Sequence, residues 1–194
     1  MSRRLPHHQP RKRFGQNFLH DPQVIDRIVR AIHPRAGESL VEIGPGLGAL
    51  TAPLLAAAGA LHVIELDRDV VPLLERRCAG LGALTLTQAD VLTVNFTALA
   101  AGRKLRLVGN LPYNISTPLL FHVLQWSDRI LDMHFMLQQE VVRRMAASPG
   151  GKAWGRLSLM CQLHCAVTPL FDVPPEAFTP APRVHSAIVR LVPH

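Results

Sequence analysis

The run Asn110-Leu111-Pro112-Tyr113, just after the apolar stretch Leu105 to Val108, combines residue types that can grip an aromatic amine. The Asn110 side-chain carbonyl and the Leu111 backbone carbonyl can accept both hydrogens of an exocyclic amino group such as N6 of adenine. Pro112 restricts φ and helps hold these acceptors in a tight turn. Tyr113 offers a ring on which an extruded base can stack. Alone, the tetrad is equally an ordinary turn with a packed tyrosine, and the residues upstream decide between the two.

Glu42-Ile43-Gly44-Pro45-Gly46-Leu47-Gly48 follows the apolar pair Leu40-Val41 and precedes a helical pattern with Leu50, Leu54 and Leu55. That is the strand, glycine turn, helix order of a nucleotide-binding unit, in which glycine lets the backbone approach a ligand closely. The spacing is Gly-x-Gly-x-Gly and no Gly-Lys-Ser/Thr ending follows, so a pyrophosphate-binding loop is disfavoured. Glu65 ends the next apolar run about twenty residues on, where such folds place the carboxylate that takes a ribose diol. Asp90 ends the run after that. Each acid alone could be a solvated loop carboxylate; together they line one edge of an expected parallel sheet, where ligands of open α/β sheets bind.

Five segments now carry a specific resemblance: Arg13 to Leu19 (RFGQNFL), Glu42 to Gly46 (EIGPG), Glu65-Leu66-Asp67, Asn110 to Thr117 (NLPYNIST) and Phe178 to Val184 (FTPAPRV). In order and spacing they resemble the ribosomal RNA adenine N6,N6-dimethyltransferases, from about Arg11 to the C-terminus. The Asn-Leu-Pro-Tyr-Asn-Ile-Ser-Thr form looks like the bacterial small-subunit (16S) enzymes, whereas the 23S antibiotic-resistance enzymes more often read Asn-Ile-Pro-Tyr.

The resemblance implies S-adenosylmethionine as cofactor and in-line methyl transfer to N6 of two adjacent adenines in the 3′-terminal hairpin of 16S rRNA, within an immature small subunit. It implies catalytic roles for Asn110, Leu111, Pro112 and Tyr113, with Phe178 on the second face of the base. On the cofactor it implies Asn17 and Leu19 at the methionine end, Gly44 at close approach, Glu65 on the ribose, Asp90 on the adenine amino group and Asn110 beside the methyl. Glu42 is expected either to organise the glycine loop through backbone donors or to reach the cofactor through water. No metal is required. The family usually reads Pro-Lys-Val and then Asp or Asn before Ser; here Arg183 keeps the positive charge and His185 replaces the acid or amide. Family members continue into a small helical domain, expected to be absent from this chain.

Composition fits this reading. At 194 residues and 48% hydrophobic, the chain can bury one sizeable core. A net charge of +7 and a pI near 10.3 favour a polyanionic partner such as RNA. Aromatics make up only 5%, so base recognition rests on a few rings. No apolar run reaches membrane-spanning length and the N-terminus lacks a signal-peptide core, which implies a cytoplasmic protein, expected as a monomer. Cys78, Cys161 and Cys165 lack paired knuckle spacing and read as reduced core thiols. Two other classes remain: a noncatalytic RNA-binding or assembly factor, which intact Asn110, Tyr113, Glu65 and Asp90 disfavour, and a protein-glutamine or DNA methyltransferase, which Leu111 and the Phe14 to Leu19 segment disfavour.

The elements that must position these residues follow from periodicity. Residues 1–16 form a basic arm, with Arg3, Arg4, Arg11, Lys12 and Arg13, ahead of a methyltransferase domain over 17–194. Asp21 caps a helix with Pro22 at its first position and Val24, Ile25, Ile28, Val29 and Ile32 on one face, ended by Pro34. Strands are expected near 39–43, 61–65, 84–88, 105–109 and 131–137, with helices near 49–58, 68–79, 117–126 and 138–147. Such alternation predicts a Rossmann-like α/β fold with a mostly parallel, doubly wound seven-stranded sheet. A helix around Leu157 to His164 and two strands, 167–173 and 187–192, close it with antiparallel pairing.

Overall fold

A computed structural model describes residues 17–194, so the expected basic arm lies outside the described residues. In chain order the elements are β1 (Phe18–Leu19), α1 (Pro22–Ile32), β2 (Ser39–Ile43), α2 (Thr51–Ala58), β3 (Ala60–Glu65), α3 (Val71–Cys78), β4 (Ala83–Gln88) and α4 (Phe96–Ala100). They continue with β5 (Leu105–Asn110), α5 (Ser116–Leu124), β6 (Ile130–Gln138), α6 (Gln139–Met145), α7 (Arg156–His164), β7 (Cys165–Val173), β8 (Phe178–Thr179) and β9 (Ser186–Pro193).

Seven strands form one sheet in the order β4-β3-β2-β5-β6-β9-β7. The first five pair in parallel, and β9 runs antiparallel between β6 and β7. Strand order therefore reverses between β2 and β5, and a crevice opens at the carboxyl ends of the strands there. The sheet is covered on both faces, which is why its central strands read as continuous apolar runs. Val41, Leu107, Phe135 and Leu137 pack into one core with α5, while Leu40, Val63, Val108 and Met136 pack into the other with α1 and α2.

Local chemistry sets the helix ends. The Asp21 carboxylate accepts from the Gln23 and Val24 amides, a cap with Pro22 at the first turn. Helix α3 begins three residues later than periodicity predicts, because the Asp67 side chain accepts from the Asp69 amide and its carbonyl from Val70, holding a turn there. Two features carry no periodic signal at all: the five-residue α4 and a separate two-stranded ribbon in which β1 and β8 pair antiparallel, Leu19 opposite Phe178. The ribbon lays the Asn17 to Leu19 segment across the ends of β2 and β5, where the crevice lies.

Below that crevice, Arg106 on β5 donates to Asp132 on β6, to Glu38 and to the Ile32 carbonyl at the end of α1, tying the opposite ends of these elements together. Cys78, Cys161 and Cys165 are buried free thiols. Among the described residues no helix is long and apolar enough to cross a membrane, and no three His, Cys, Asp or Glu side chains converge as metal ligands.

Candidate functional site

The carboxyl ends of β2, β3, β4 and β5 open into a cleft of about 1150 Å³, its open mouth included. At the switch point β5 presses against β2: a side chain on Gly109 would begin 2.6 Å from the Ile43 carbonyl oxygen. Only glycine allows that approach, and it sets Asn110 beside the glycine turn. Gly44 turns the chain with φ of 65°, in the left-handed region that glycine adopts without strain. A Cβ there would lie 4.0 Å from the Asn110 carbonyl, so the loop and the tetrad share one wall of the cleft.

Asn110 ends β5 and donates from Nδ2 to the Asn17 carbonyl at 3.2 Å. That bond orients its amide and joins the tetrad to the segment carrying Asn17 and Leu19, both of which line the cleft. The Leu111 amide donates to the Met136 carbonyl on β6, and the Pro112 carbonyl accepts from Ile115, closing the turn that leads into α5. Leu111, Pro112 and Tyr113 all line the cleft. Tyr113 is half-buried and its hydroxyl stands 2.7 Å from the Ser186 Oγ; burial pushes this phenol up, against the lowering effect of that hydrogen bond.

Glu65 ends β3 with both oxygens engaged: Oε1 accepts from the Asp67 amide at 2.7 Å and Oε2 from the Gly46 amide at 3.4 Å. The organiser of the glycine loop is therefore Glu65, not Glu42, which corrects one expectation for Glu42. Burial still raises the Glu65 carboxyl, with these backbone donors lowering it. Glu42 is 2% exposed and its Oε2 has no hydrogen-bond partner among the described residues. Burial pushes it up to about 7; the Thr51 hydroxyl nearby opposes this without a bond of normal geometry, and the Glu65 charge adds to it. Asp90 follows β4, exposed at the cleft edge, with Oδ1 accepting from the Leu92 amide.

Phe178 is not brought to the cleft. Its ring is 3% exposed and packs in the core with Leu19, Val173 and Ile188, away from the residues that line the cleft. What Phe178 contributes is its backbone, which pairs with Leu19 and fixes the segment above the cleft. Three contributors escaped sequence reasoning. Ser186 anchors Tyr113, Arg77 donates to the Leu47 carbonyl and clamps the glycine turn from α3, and Thr51 sits beneath Glu42. A Ser at the end of the Phe178 to Ser186 segment was visible, but its partner lies 73 residues away.

A seven-stranded sheet of this order, with a glycine turn after β2, an acid after β3 and a polar tetrad after β5, defines a Rossmann-like methyltransferase of the S-adenosylmethionine-dependent class. The sequence profile described as Ribosomal RNA adenine dimethylase matches residues 7–194, and the chain belongs to that family. Ribosomal RNA small subunit methyltransferase A of Chromohalobacter salexigens is 61% identical, the match covering 100% of this chain and 71% of that protein. Among solved structures, a dimethyladenosine transferase from Plasmodium falciparum superposes with a TM-score of 0.82 at 30% identity, covering 91% of this chain and 63% of that one. The 23S rRNA methyltransferase ErmE gives 0.77 at 28% identity, covering 92% and 70%.

Proposed function

We propose that this chain transfers methyl groups from S-adenosylmethionine to N6 of two adjacent adenines in the 3′-terminal hairpin of 16S rRNA, giving N6,N6-dimethyladenosine. The observation that carries the reading is the junction of Asn110 with the glycine turn: a group aimed at a target amine and a loop suited to a nucleoside cofactor share one wall. The small-subunit relative is also far more similar in sequence than the 23S enzyme, which favours a 16S substrate.

The residues present fit the cofactor. Glu65, Asp90, Asn17, Leu19 and Gly44 all line the cleft, which supports Glu65 as acceptor for a ribose diol, Asp90 for the adenine amino group, Asn17 and Leu19 at the methionine end, and Gly44 at close approach. When bound, S-adenosylmethionine supplies an electrophilic methyl on a sulfonium. The chain's own task is to make a poor nucleophile attack it, because the N6 lone pair is delocalised into the ring. Asn110 Nδ2 is held by the Asn17 carbonyl, so Oδ1 is oriented as an acceptor. With the Leu111 carbonyl it favours the pyramidal, partly positive amine that forms during attack, by preorganised dipoles. Tyr113 stacks on one face of the base and holds the amine in line. After transfer the ammonium is acidic enough to lose its proton, so no general base acts before attack. The monomethylated product keeps one hydrogen and can meet the same acceptors again.

The substrate form is 16S rRNA in an immature small subunit, and the protein works as a monomer in the cytoplasm. Residues 1–16 supply nonspecific phosphate contacts. The test is tritiated methyl transfer to under-methylated small subunits, to naked 16S RNA and to 23S RNA, followed by digestion. Dimethyladenosine from the small subunits is expected; labelling of 23S RNA alone, or of none of the three, would overturn the reading.

A further inference from the structure

The glycine turn after β2 has little conformational preference of its own. Gly44, Gly46 and Gly48 sit at φ of 65°, 52° and 81°, a region that glycine enters without strain and leaves as readily. Leu50, at the N-cap of α2, makes no side-chain cap bond that would steady the far end. The Gly44 amide is tied to the Ile64 carbonyl on β3, and the Gly48 amide closes back on the Pro45 carbonyl. Between them, side chains from outside hold the middle of the turn. The Gly46 amide donates to Glu65 Oε2 at 3.4 Å, and the Leu47 carbonyl accepts from Arg77 Nη1 at 2.9 Å.

Both grips come from one stretch of chain. Glu65 ends β3, and its other oxygen accepts from the Asp67 amide at 2.7 Å, in the turn that leads into α3. Arg77 is the last residue but one of α3. A side chain on Gly48 would begin 2.9 Å from Leu74 Cδ1 and 3.1 Å from Arg77 Cδ, so α3 lies directly on the turn. The contacts therefore close a circuit: from Arg77 through Leu47 and Gly46 to Glu65, then through Asp67 and back along α3. Gly46, Leu47, Glu65 and Asp67 line the cleft, and Arg77 stands behind them, exposed. Its neighbour Arg76 is exposed too, but donates within its own helix, to the Pro72 carbonyl.

We propose that Arg77 is a positioning residue for the cofactor site: by holding the Leu47 carbonyl it fixes the glycine turn, and through the Gly46 amide it keeps the Glu65 carboxylate in place on the cleft wall. This rests on S-adenosylmethionine being the cofactor. Arg77 lies outside the cleft and acts through the turn, so its loss falls on cofactor binding and spares the methyl-transfer step, whose residues follow β5. Arginine suits the task because its charge does not titrate and its long stem packs along Gly48 while the guanidinium reaches the carbonyl beyond.

Calorimetric titration of the whole chain with S-adenosylmethionine compares Arg77→Met, which keeps most of the stem and removes the donors, with Arg76→Met, which removes the same charge one residue away. Arg77→Met should weaken binding about three- to tenfold, the scale of one lost hydrogen bond; Arg76→Met should match the parent. In methylation assays the loss should appear in the cofactor KM, with turnover at saturation retained. Melting temperatures should stay within about 2 °C of the parent, as for surface substitutions. With no ligand present, the Gly46 amide should exchange with solvent faster in Arg77→Met and at the parent rate in Arg76→Met. In a Glu65→Ala background, Arg77→Met should cost less than about twofold, because the residue it acts on is gone. Unchanged affinity or Gly46 exchange in Arg77→Met, an equal loss in Arg76→Met, a loss in turnover or melting temperature, or full multiplication of the Arg77 and Glu65 losses would each overturn the proposal. Absence of S-adenosylmethionine binding by the parent chain is a separate outcome, which removes the cofactor reading and this inference with it.

Discussion

The Tyr113 hydroxyl and the Ser186 Oγ, 2.7 Å apart, join the turn after β5 to the first residue of β9. Ser186 is 1% exposed and pairs with Gln138 at the end of β6 and Val173 at the end of β7, so its backbone is held by strands on both sides. The bond fixes the tilt of the ring proposed to stack on the target base. Tyr113→Phe keeps the ring and Ser186→Ala keeps the strand; each should lower single-turnover methylation severalfold, the scale of one lost neutral hydrogen bond of about 0.5–1.5 kcal/mol. Because both remove the same bond, the double variant should be no slower than the worse single one. Fully additive losses would mean that the two residues act separately.

Asn110→Ala should reduce turnover by on the order of a hundredfold or more, the scale for losing one preorganised group at a developing charge. The same change frees the Asn17 carbonyl from its Nδ2 donor, so cofactor affinity should also fall, but by less. Single-turnover rates at saturating RNA, set beside the cofactor dissociation constant, separate the two effects. Near-normal turnover would remove Asn110 from the transition state.

Much of the scaffold was legible because apolar periodicity is local. Ser39–Ile43 and the Asp21 cap were readable from neighbours within one element, and the acids at strand ends marked the cleft edge. What escaped depends on distant pairing. Strands β1 and β8 are two residues each, too short for any period, and exist only because Leu19 meets Phe178 across the fold. The placement of Phe178 went with them: the ring that a motif aims at the substrate is held inward by the ribbon its own backbone makes. Burial was equally invisible, so Glu42 read as either a loop organiser or a water-bridged cofactor contact, and of these the backbone donors of the loop go to Glu65 instead. Antiparallel closure at the C-terminal end was expected, yet not that β9 would insert between β6 and β7.

Glu65→Ala removes the acceptor proposed for two cofactor hydroxyls and should weaken S-adenosylmethionine binding by about 1.5–3 kcal/mol. It also strips the Gly46 and Asp67 amides of their acceptor, so the glycine turn should loosen. Glu65→Gln retains one acceptor oxygen and should fall between the two in calorimetry. An unchanged dissociation constant in Glu65→Ala would make the residue a support for the loop and nothing more.

His134 sits on β6 with its side chain 2% exposed, and neither ring nitrogen has a hydrogen-bond partner among the described residues. Burial lowers its pKa to about 4; Asp132, 3.9 Å away, opposes this, while Arg106 and Arg190 reinforce it. The ring is therefore neutral in the folded protein, whereas the unfolded chain protonates it near 6.5. Below that value the unfolded state binds more protons, so this group's contribution is fully present above about pH 6.5 and is lost as pH falls toward 4. The shift corresponds to roughly 3 kcal/mol. His134→Leu removes both the titration and the two unpartnered nitrogens. Carboxylates titrate in the same window, so the informative quantity is the difference between variant and parent. Thermal unfolding from pH 7.5 to 4.5 should show the variant gaining stability relative to the parent as pH drops through 6, and an identical pH slope in the two proteins would show that His134 does not control the acid limb.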